Sequence, residues 1–354
     1  MEKNKILLVC GGSGGHIFPS IAMAEYLINK NIDCYFLVSR KNIDIKIMEK
    51  FPFPYATIPH ISQRSDYLFF LYNHYKNVKT LFSHLQPSVV ISTGSIYSFV
   101  PLLFFFLQKG IKIFLFEPNT IPGRVNSFFF RWCENVFTGW KYDYSATFFG
   151  AKTIISGIPI RNGVKKVYER KMVLQELNLQ PHRKTVLITG GSQGSLFLNT
   201  SIVKILVQSE LSKEIQIALL TSDRFSGDNF LSQENIRILP FTIDVGKFYS
   251  IADLVITRGG AMTLAEVCYR QLPNISIPYP GSANNHQLIN SKFLQEKGLT
   301  FCLEESDFKE SVFIEICKKF LFNDNLISNI KMNMRSFFID NAETTIYETI
   351  SKYL

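Results

Sequence analysis

The sequence predicts an α/β architecture: two parallel-sheet units in tandem, each wound with helices on both faces. Three observations carry that expectation. Apolar runs of strand length alternate with amphipathic helical stretches along the whole chain. The runs are rich in Val, Ile, Leu and Phe on both alternating faces, as suits strands covered on both sides. A strand, a Gly-Gly-Ser turn and a helix occur twice, as LLVCGGSGGHIFPSIA at residues 7–22 and as VLITGGSQGSLFLNTS at 186–201.

In the first half the strands are expected at KILLVC (5–10), CYFLVS (34–39), SVVIST (88–93), IKIFLF (111–116), ENVFTG (134–139) and KTIIS (152–156). In the second half they are TVLITG (185–190), IQIALLT (215–221), IRILPF (236–241), DLVITRG (253–259) and NISIPY (274–279). Amphipathic stretches such as PSIAMAEYLINKN (19–31) and GAMTLAEVCYRQ (260–271) lie between them. With 354 residues, the chain is long for one core and suits two. Two Rossmann-like units follow, at residues 1–160 and 161–336. The polar segment SGIPIRNGVKKVYERK (156–171) is the expected connection, and the residues after about 333 read as helices without a strand.

Composition is globular, with 46% hydrophobic and 19% charged residues. The net charge of +9 predicts acidic partners: nucleic acid, phosphorylated substrates or an anionic membrane surface. A merely solvated basic surface fits the same number. The six cysteines form no CxxC pair and several sit in apolar runs, which favours a reducing compartment and argues against structural zinc. The start, MEKNK running straight into a strand, is read as lacking a signal peptide. The longest apolar run, FVPLLFFFL at 99–107, is about half the ~20 residues that a spanning helix needs.

A strand–turn–helix unit leaves amide groups unpaired at the positive end of the helix dipole, and glycines let a large anion approach them. GGSGG (11–15) and GGSQG (190–194) therefore each read as a diphosphate cradle or as a tight turn, and their repetition favours the cradle. A dinucleotide fingerprint fails: GxGxxG from Gly12 would need glycine at Ile17, and the second strand ends in Arg40 rather than an acid. A P-loop fails too, because no Gly-Lys-Ser/Thr follows. His16, next to the first cradle, is either a helix-start residue bonded to backbone or a base for a hydroxyl. In TRGGAMTLAEV (257–267), Thr263 and Glu266 lie about one turn apart. Glu266 is either a capping-box partner or a carboxylate for ribose hydroxyls. Asn285, His286 and Gln287 before the next helix suit sugar hydroxyls, with one of them a helix cap.

Taken together, GGSGGHIFPSIAMAEYL, FEPNTIPGRVN, SGIPIR, GGSQGSLFLN, ADLVITRGGAMTLAEV and NNHQLINS occur in an order that resembles the MurG-type glycosyltransferases of peptidoglycan synthesis. The resemblance covers most of the chain. It implies a glycosyltransferase-B fold, two Rossmann-like domains facing a central cleft, with a final helix (337–354) packing back on the first. It implies transfer of GlcNAc from UDP-GlcNAc to the 4-hydroxyl of MurNAc-pentapeptide-pyrophosphoryl-undecaprenol (lipid I), giving lipid II. By similarity, Gly11, Gly12, Ser13, Gly14 and Gly15 hold the acceptor diphosphate, His16 is the candidate base, and Glu117 and Asn119 lie near the reacting sugars. The donor would be held by Asn119, Arg161, Gly191, Ser192, Gln193, Phe241, Ile243, Ala261, Met262, Thr263, Glu266 and Gln287. Four departures stand out: Phe116 and Pro118 in FEPN, the altered loop TGSIYSFVP (93–101), Gly259 where Ser is usual, and Ile158 where Asn is usual.

No DxD-like acidic pair is apparent, so no metal or other cofactor is required by the sequence; helix N-termini and Ser192 would stabilise the departing UDP. The lipid acceptor implies contact with an anionic membrane, at the cytoplasmic face of the bacterial inner membrane. Aromatic and basic residues interleave accordingly in YLFFLYNHYKNVKTLF (67–82), LLFFFLQKG (102–110) and FFFRWCENVFTGWK (128–141), where Trp132 and Trp140 adjoin Arg131 and Lys141. No nucleic-acid module is recognisable. A UDP-GlcNAc 2-epimerase of the same fold and a non-catalytic nucleotide-sugar-binding protein are the alternatives.

Overall fold

The computed structural model describes residues 5–59, 67–142, 152–222 and 234–354, with the side chains of the second stretch from residue 72. The chain forms two compact units, Met1–Arg161 with Ile339–Leu354, and Asn162–Phe338.

The first unit runs β1 (Lys5–Val9), α1 (Gly14–Ile28), β2 (Asp33–Ser39), α2 (Asn42–Met48), β3 (Tyr55–Ile58), α3 (Tyr67–Leu85), β4 (Val89–Ser92), α4 (Phe99–Phe106), β5 (Lys112–Glu117), α5 (Arg124–Phe129), β6 (Val136–Thr138) and β7 (Thr153–Ile155). Its seven strands lie in the order β3-β2-β1-β4-β5-β6-β7 and every pairing is parallel. Leu7 pairs with Tyr35 on one side and Val90 on the other, so β1 is interior, and its residues Ile6 to Val9 are fully buried. Two-sided burial explains why these runs do not alternate with polar residues.

The second unit runs α6 (Asn162–Lys165), α7 (Arg170–Glu176), β8 (Lys184–Thr189), α8 (Val203–Gln208), β9 (Ile215–Thr221), β10 (Ile236–Pro240), α9 (Gly246–Tyr249), β11 (Leu254–Thr257), α10 (Ala261–Tyr269), β12 (Asn274–Ser276), α11 (His286–Glu296), β13 (Phe301–Cys302), α12 (Glu310–Phe322) and α13 (Asp324–Phe337). The order is β10-β9-β8-β11-β12-β13, again parallel throughout. Leu198–Ile202 forms a π-turn that leads into α8.

Two strands are absent from the expected set. β3 follows Pro52 and Pro54 and β13 is two residues long; both are edge strands, too short to give an apolar run. The last helix, α14 (Ala342–Ile350), buries Ile346 and Ile350 in the first unit. Tyr26 Oη lies 3.1 Å from Thr344 Oγ1, Ile160 N donates to Glu343 Oε1 at 3.1 Å, and Tyr353 meets Phe114. Gly157 (φ +86°) lets the chain pass Ile339, whose Cβ would stand 2.7 Å from any Cβ at 157.

Candidate functional site

In each sheet the sequential order of strands reverses between two neighbours, β1 and β4 in the first, β8 and β11 in the second. Chain crossovers leave in opposite directions there, so the loops at the strands' carboxyl ends part, and ligands of open α/β sheets bind at such points. Both glycine turns lie at these places.

In the first unit, Gly11 and Gly12 have φ of +130° and +92°, a region that side-chain-bearing residues rarely adopt. A Cβ at Gly11 would lie 2.8 Å from Ser39 N and 2.9 Å from Asp44 Oδ2. Ser13 is the extended N-cap of α1, and the first helical bond runs from His16 N to Ser13 O at 3.1 Å. Residues 13–15 therefore sit at the positive end of a 15-residue helix. His16 Nδ1 lies 2.8 Å from Thr93 O, at the end of β4. A carbonyl only accepts, so Nδ1 carries the proton and, in the neutral ring, Nε2 carries the lone pair. That is the tautomer a base needs.

The N–H of Gly12 donates to Asp44 Oδ2, which also accepts from Ser39 Oγ. Lys41 Nζ donates to Gly12 O at 3.3 Å and sits 5.4 Å from the Tyr97 ring centroid. Nothing in the sequence spacing pointed to Asp44, which is wholly buried.

Glu117 ends β5 and is also buried. Its Oε1 accepts from Asn119 N (3.1 Å) and Nδ2 (2.9 Å), its Oε2 from Gly123 N (2.8 Å) and Asn126 Nδ2 (2.9 Å). Burial pushes its pKa up, and these donors pull against that. The carboxylate thus closes the 118–123 loop on itself and brings Asn119 with it. Asn126 fills the space left at Gly94 (φ +79°), where a Cβ would come within 2.4 Å of its Oδ1.

In the second unit, the turn after β8 holds Gly191, Ser192 and Gln193 in a 3₁₀ turn, with Gly191 and Gly194 at φ of +70° and +73°. A Cβ at Gly190 would stand 2.5 Å from Gly194 C, and one at Gly194 2.6 Å from Ser222 Oγ. A Cβ at Gly191 would be 3.8 Å from Thr263 Oγ1, so this turn and the start of α10 are neighbours. Ala261, Met262 and Thr263 form the first turn of α10, after the N-cap Gly260. Glu266 lies one turn further on, beyond the position from which a capping box could reach the N-cap amide, so it does not cap this helix. Its Oε2 instead accepts from Tyr249 Oη at 3.0 Å. Tyr249 ends α9, which follows the loop bearing Phe241 and Ile243. Ile243 O packs against Gly163, where a Cβ would be 2.5 Å away. Gln287 Oε1 accepts from Tyr279 N at 3.0 Å, and Asn285 is the left-handed N-cap of α11. Arg161 falls in the first unit, its guanidinium 4.2 Å from the Phe18 ring centroid.

Arg258, part of the TRGG turn but assigned no role from sequence, ties this region together. Its Nε donates to Ser195 Oγ at 2.9 Å and its Nη1 to Ile277 O at 3.1 Å and to Glu305 Oε1. No spacing rule joins residues 195, 258, 277 and 305; only the parallel sheet brings them to one end.

The first unit also carries exposed apolar side chains: Ile96, Leu103, Phe106, Leu107, Phe128 and Trp132. Trp132 packs on Phe106 (5.4 Å) and Phe128 (5.3 Å), so these form one aromatic group. Arg124, Arg131 and Lys109 are exposed on the same elements or next to them. Trp140, grouped with Trp132 from sequence, is 2% exposed and belongs to the core; Phe104 and Phe105 are core as well. The part of the 67–82 stretch before residue 72 lies outside the described side chains. No helix of the described residues is long and apolar enough to cross a membrane.

The chain matches the glycosyltransferase family 28 N-terminal domain over residues 6–138 and the family 28 C-terminal domain over residues 185–345. The chain belongs to glycosyltransferase family 28. Among family 28 relatives it is similar to the UDP-N-acetylglucosamine--N-acetylmuramyl-(pentapeptide) pyrophosphoryl-undecaprenol N-acetylglucosamine transferase of Aquifex aeolicus, at 29% identity over 96% of this chain and 98% of that protein. It shares its fold with MurG of Acinetobacter baumannii, at a TM-score of 0.72 and 22% identity over 99% of each chain. It also shares it with a putative UDP-N-acetylglucosamine 2-epimerase of Listeria monocytogenes, at a TM-score of 0.70 and 13% identity over 99% and 96%. The fold is that of the glycosyltransferase-B proteins.

Two positions of these loops are tightly packed. A Cβ at Gly259 would stand 2.3 Å from Gln287 O and 2.5 Å from Ser291 Oγ. Ile158 is buried against Gly139, where a Cβ would be 2.4 Å from its Cγ1.

Proposed function

We propose that this family 28 protein transfers GlcNAc from UDP-GlcNAc to the 4-hydroxyl of the MurNAc of lipid I, giving lipid II for peptidoglycan. The observation that carries the reading is the full-length similarity to relatives named for that transfer. The placement of a glycine turn at the switch point of each sheet supports it. In this reading the first unit takes the acceptor, with its diphosphate at residues 11–15, and the second takes UDP-GlcNAc. His16 Nε2 removes the proton from the attacking hydroxyl, which closes on the anomeric carbon from the face opposite UDP, so configuration inverts. The charge that develops on UDP is met by the amides and hydroxyl of residues 191–193 and the start of α10, without a metal. Glu266, held by Tyr249, takes ribose hydroxyls, Phe241 and Ile243 take uracil, and Gln287 takes the GlcNAc hydroxyls. Glu117 acts by holding Asn119 and its loop rather than by moving a proton, because its oxygens are occupied by four donors. The aromatic group around Trp132 and its neighbouring cations rest on the anionic cytoplasmic face of the bacterial inner membrane.

The test is an assay with UDP-GlcNAc and lipid-linked MurNAc-pentapeptide. UDP release that depends on the acceptor, with a disaccharide product, is the expected result. Conversion of UDP-GlcNAc without acceptor would favour the epimerase, and binding of UDP-GlcNAc with no product would favour a non-catalytic binder.

A further inference from the structure

We infer that Asp44 and Lys41, at the start of α2, are positioning residues for the acceptor-side glycine turn. The inference deepens the proposed transferase reading and rests on it for its kinetic arm. Both polar groups of one residue are held from this element. Gly12 N–H goes to Asp44 Oδ2 at 2.5 Å, and Gly12 C=O takes Lys41 Nζ at 3.3 Å. Ser39 closes the ring of contacts, donating through Oγ to Asp44 and accepting from Lys41 N at 3.2 Å. Two opposite charges therefore act on the same residue, and its flanking peptides cannot rotate without breaking a charge-assisted bond.

The consequence is directional. With the Gly12 N–H committed to a carboxylate, the amides presented to an anion begin at Ser13. Gly11 and Gly12 serve as the positive-φ turn that aims them. The arrangement is kept at a cost to stability. Asp44 is fully buried, and its Oδ1 takes no hydrogen bond from the described residues. Gly11 leaves no room for a substitute route, since any Cβ there would meet Asp44 and Ser39.

The experiment uses the full chain, with Asp44→Ala, Asp44→Asn and Lys41→Met. Asp44→Ala is expected to raise the KM for lipid-linked MurNAc acceptor about tenfold or more while the KM for UDP-GlcNAc stays within about twofold. Asp44→Asn, whose amide oxygen can take the place of Oδ2 and still accept from both Gly12 N–H and Ser39 Oγ, is expected to restore most of that loss. Lys41→Met is expected to raise the acceptor KM alone, by a smaller factor. Hydrogen exchange of the peptide spanning residues 10–15, read on the same proteins without substrate, is expected to quicken in Asp44→Ala and not in Asp44→Asn. Equal shifts in both KM values, or unchanged exchange in Asp44→Ala, would overturn the inference. Should Asp44→Ala not fold, Asp44→Asn and Lys41→Met decide it by the same two readouts. Absence of transfer by the wild-type chain would overturn the proposed function, and the exchange arm would still decide whether Asp44 holds the Gly12 turn.

Discussion

His16 donates through Nδ1 to the Thr93 carbonyl, and that contact sets the tautomer. On the proposed mechanism, His16→Ala is expected to lower turnover about 10²–10⁴-fold while UDP affinity, measured by calorimetry, is unchanged. Glu117 behaves differently. Its oxygens each accept two hydrogen bonds, and Glu117→Gln must turn an amide NH₂ toward donors. The expected destabilisation is about 1–3 kcal/mol, read from thermal or denaturant unfolding. The pH dependence has a defined sign. Burial holds the Glu117 pKa above its ordinary 4.5, so over that window the folded chain keeps a proton that the unfolded chain has released. This group's contribution to stability falls as pH rises from 4.5 to the raised value. A pH series of melting temperatures is expected to show the wild type losing ground to Glu117→Gln across that interval.

At the scale of elements, the turn at residues 190–195 is shaped by backbone contacts that no side chain fits. Gly194→Ala combines φ of +73° with a Cβ 2.6 Å from Ser222 Oγ. Gly259→Ser would push against the backbone of α11. Each is expected to raise the KM for UDP-GlcNAc about tenfold or more and leave the acceptor KM unchanged in steady-state assays. Arg258→Ala removes the tie between this turn, the end of β12 and Glu305, leaving a mostly buried carboxylate without its guanidinium. A loss of about 2–4 kcal/mol is expected, and Arg258→Lys, lacking the planar fork, is expected to recover little of it. These ties were not legible in the sequence because they join residues 19, 47 and 63 positions apart through sheet order. Strands β3 and β13 escape sequence reading for a simpler reason: a strand of two to four residues has no periodicity to detect.

At the scale of the molecule, the net charge of +9 and the exposed aromatic group on the first unit bear on one question, where the chain meets a lipid substrate. Replacing both Phe128 and Trp132 by Glu is expected to abolish flotation with anionic vesicles at low salt. It is expected to spare transfer to a short-chain acceptor that needs no membrane. Trp132 is 45% exposed and Trp140 only 2%, and nothing in FRWCENVFTGWK separates them, because each sits beside a cation. The sheet decides: Trp140 follows β6 into the core, whereas Trp132 ends the turn after α5.

What the sequence determined by itself was the alternation of buried strands and helices, the two glycine turns and the family they belong to. These are local patterns, set by side-chain periodicity and by the positions where only glycine can bend the backbone. What only the tertiary structure decided was which groups those turns lean on: Asp44 and Lys41 at Gly12, Asn119 and Asn126 at Glu117, Tyr249 at Glu266, Arg258 at Ser195. The physical reason is that a buried polar group must find its partner in space, and in a parallel sheet that partner comes from whichever strand or crossover the topology has set alongside.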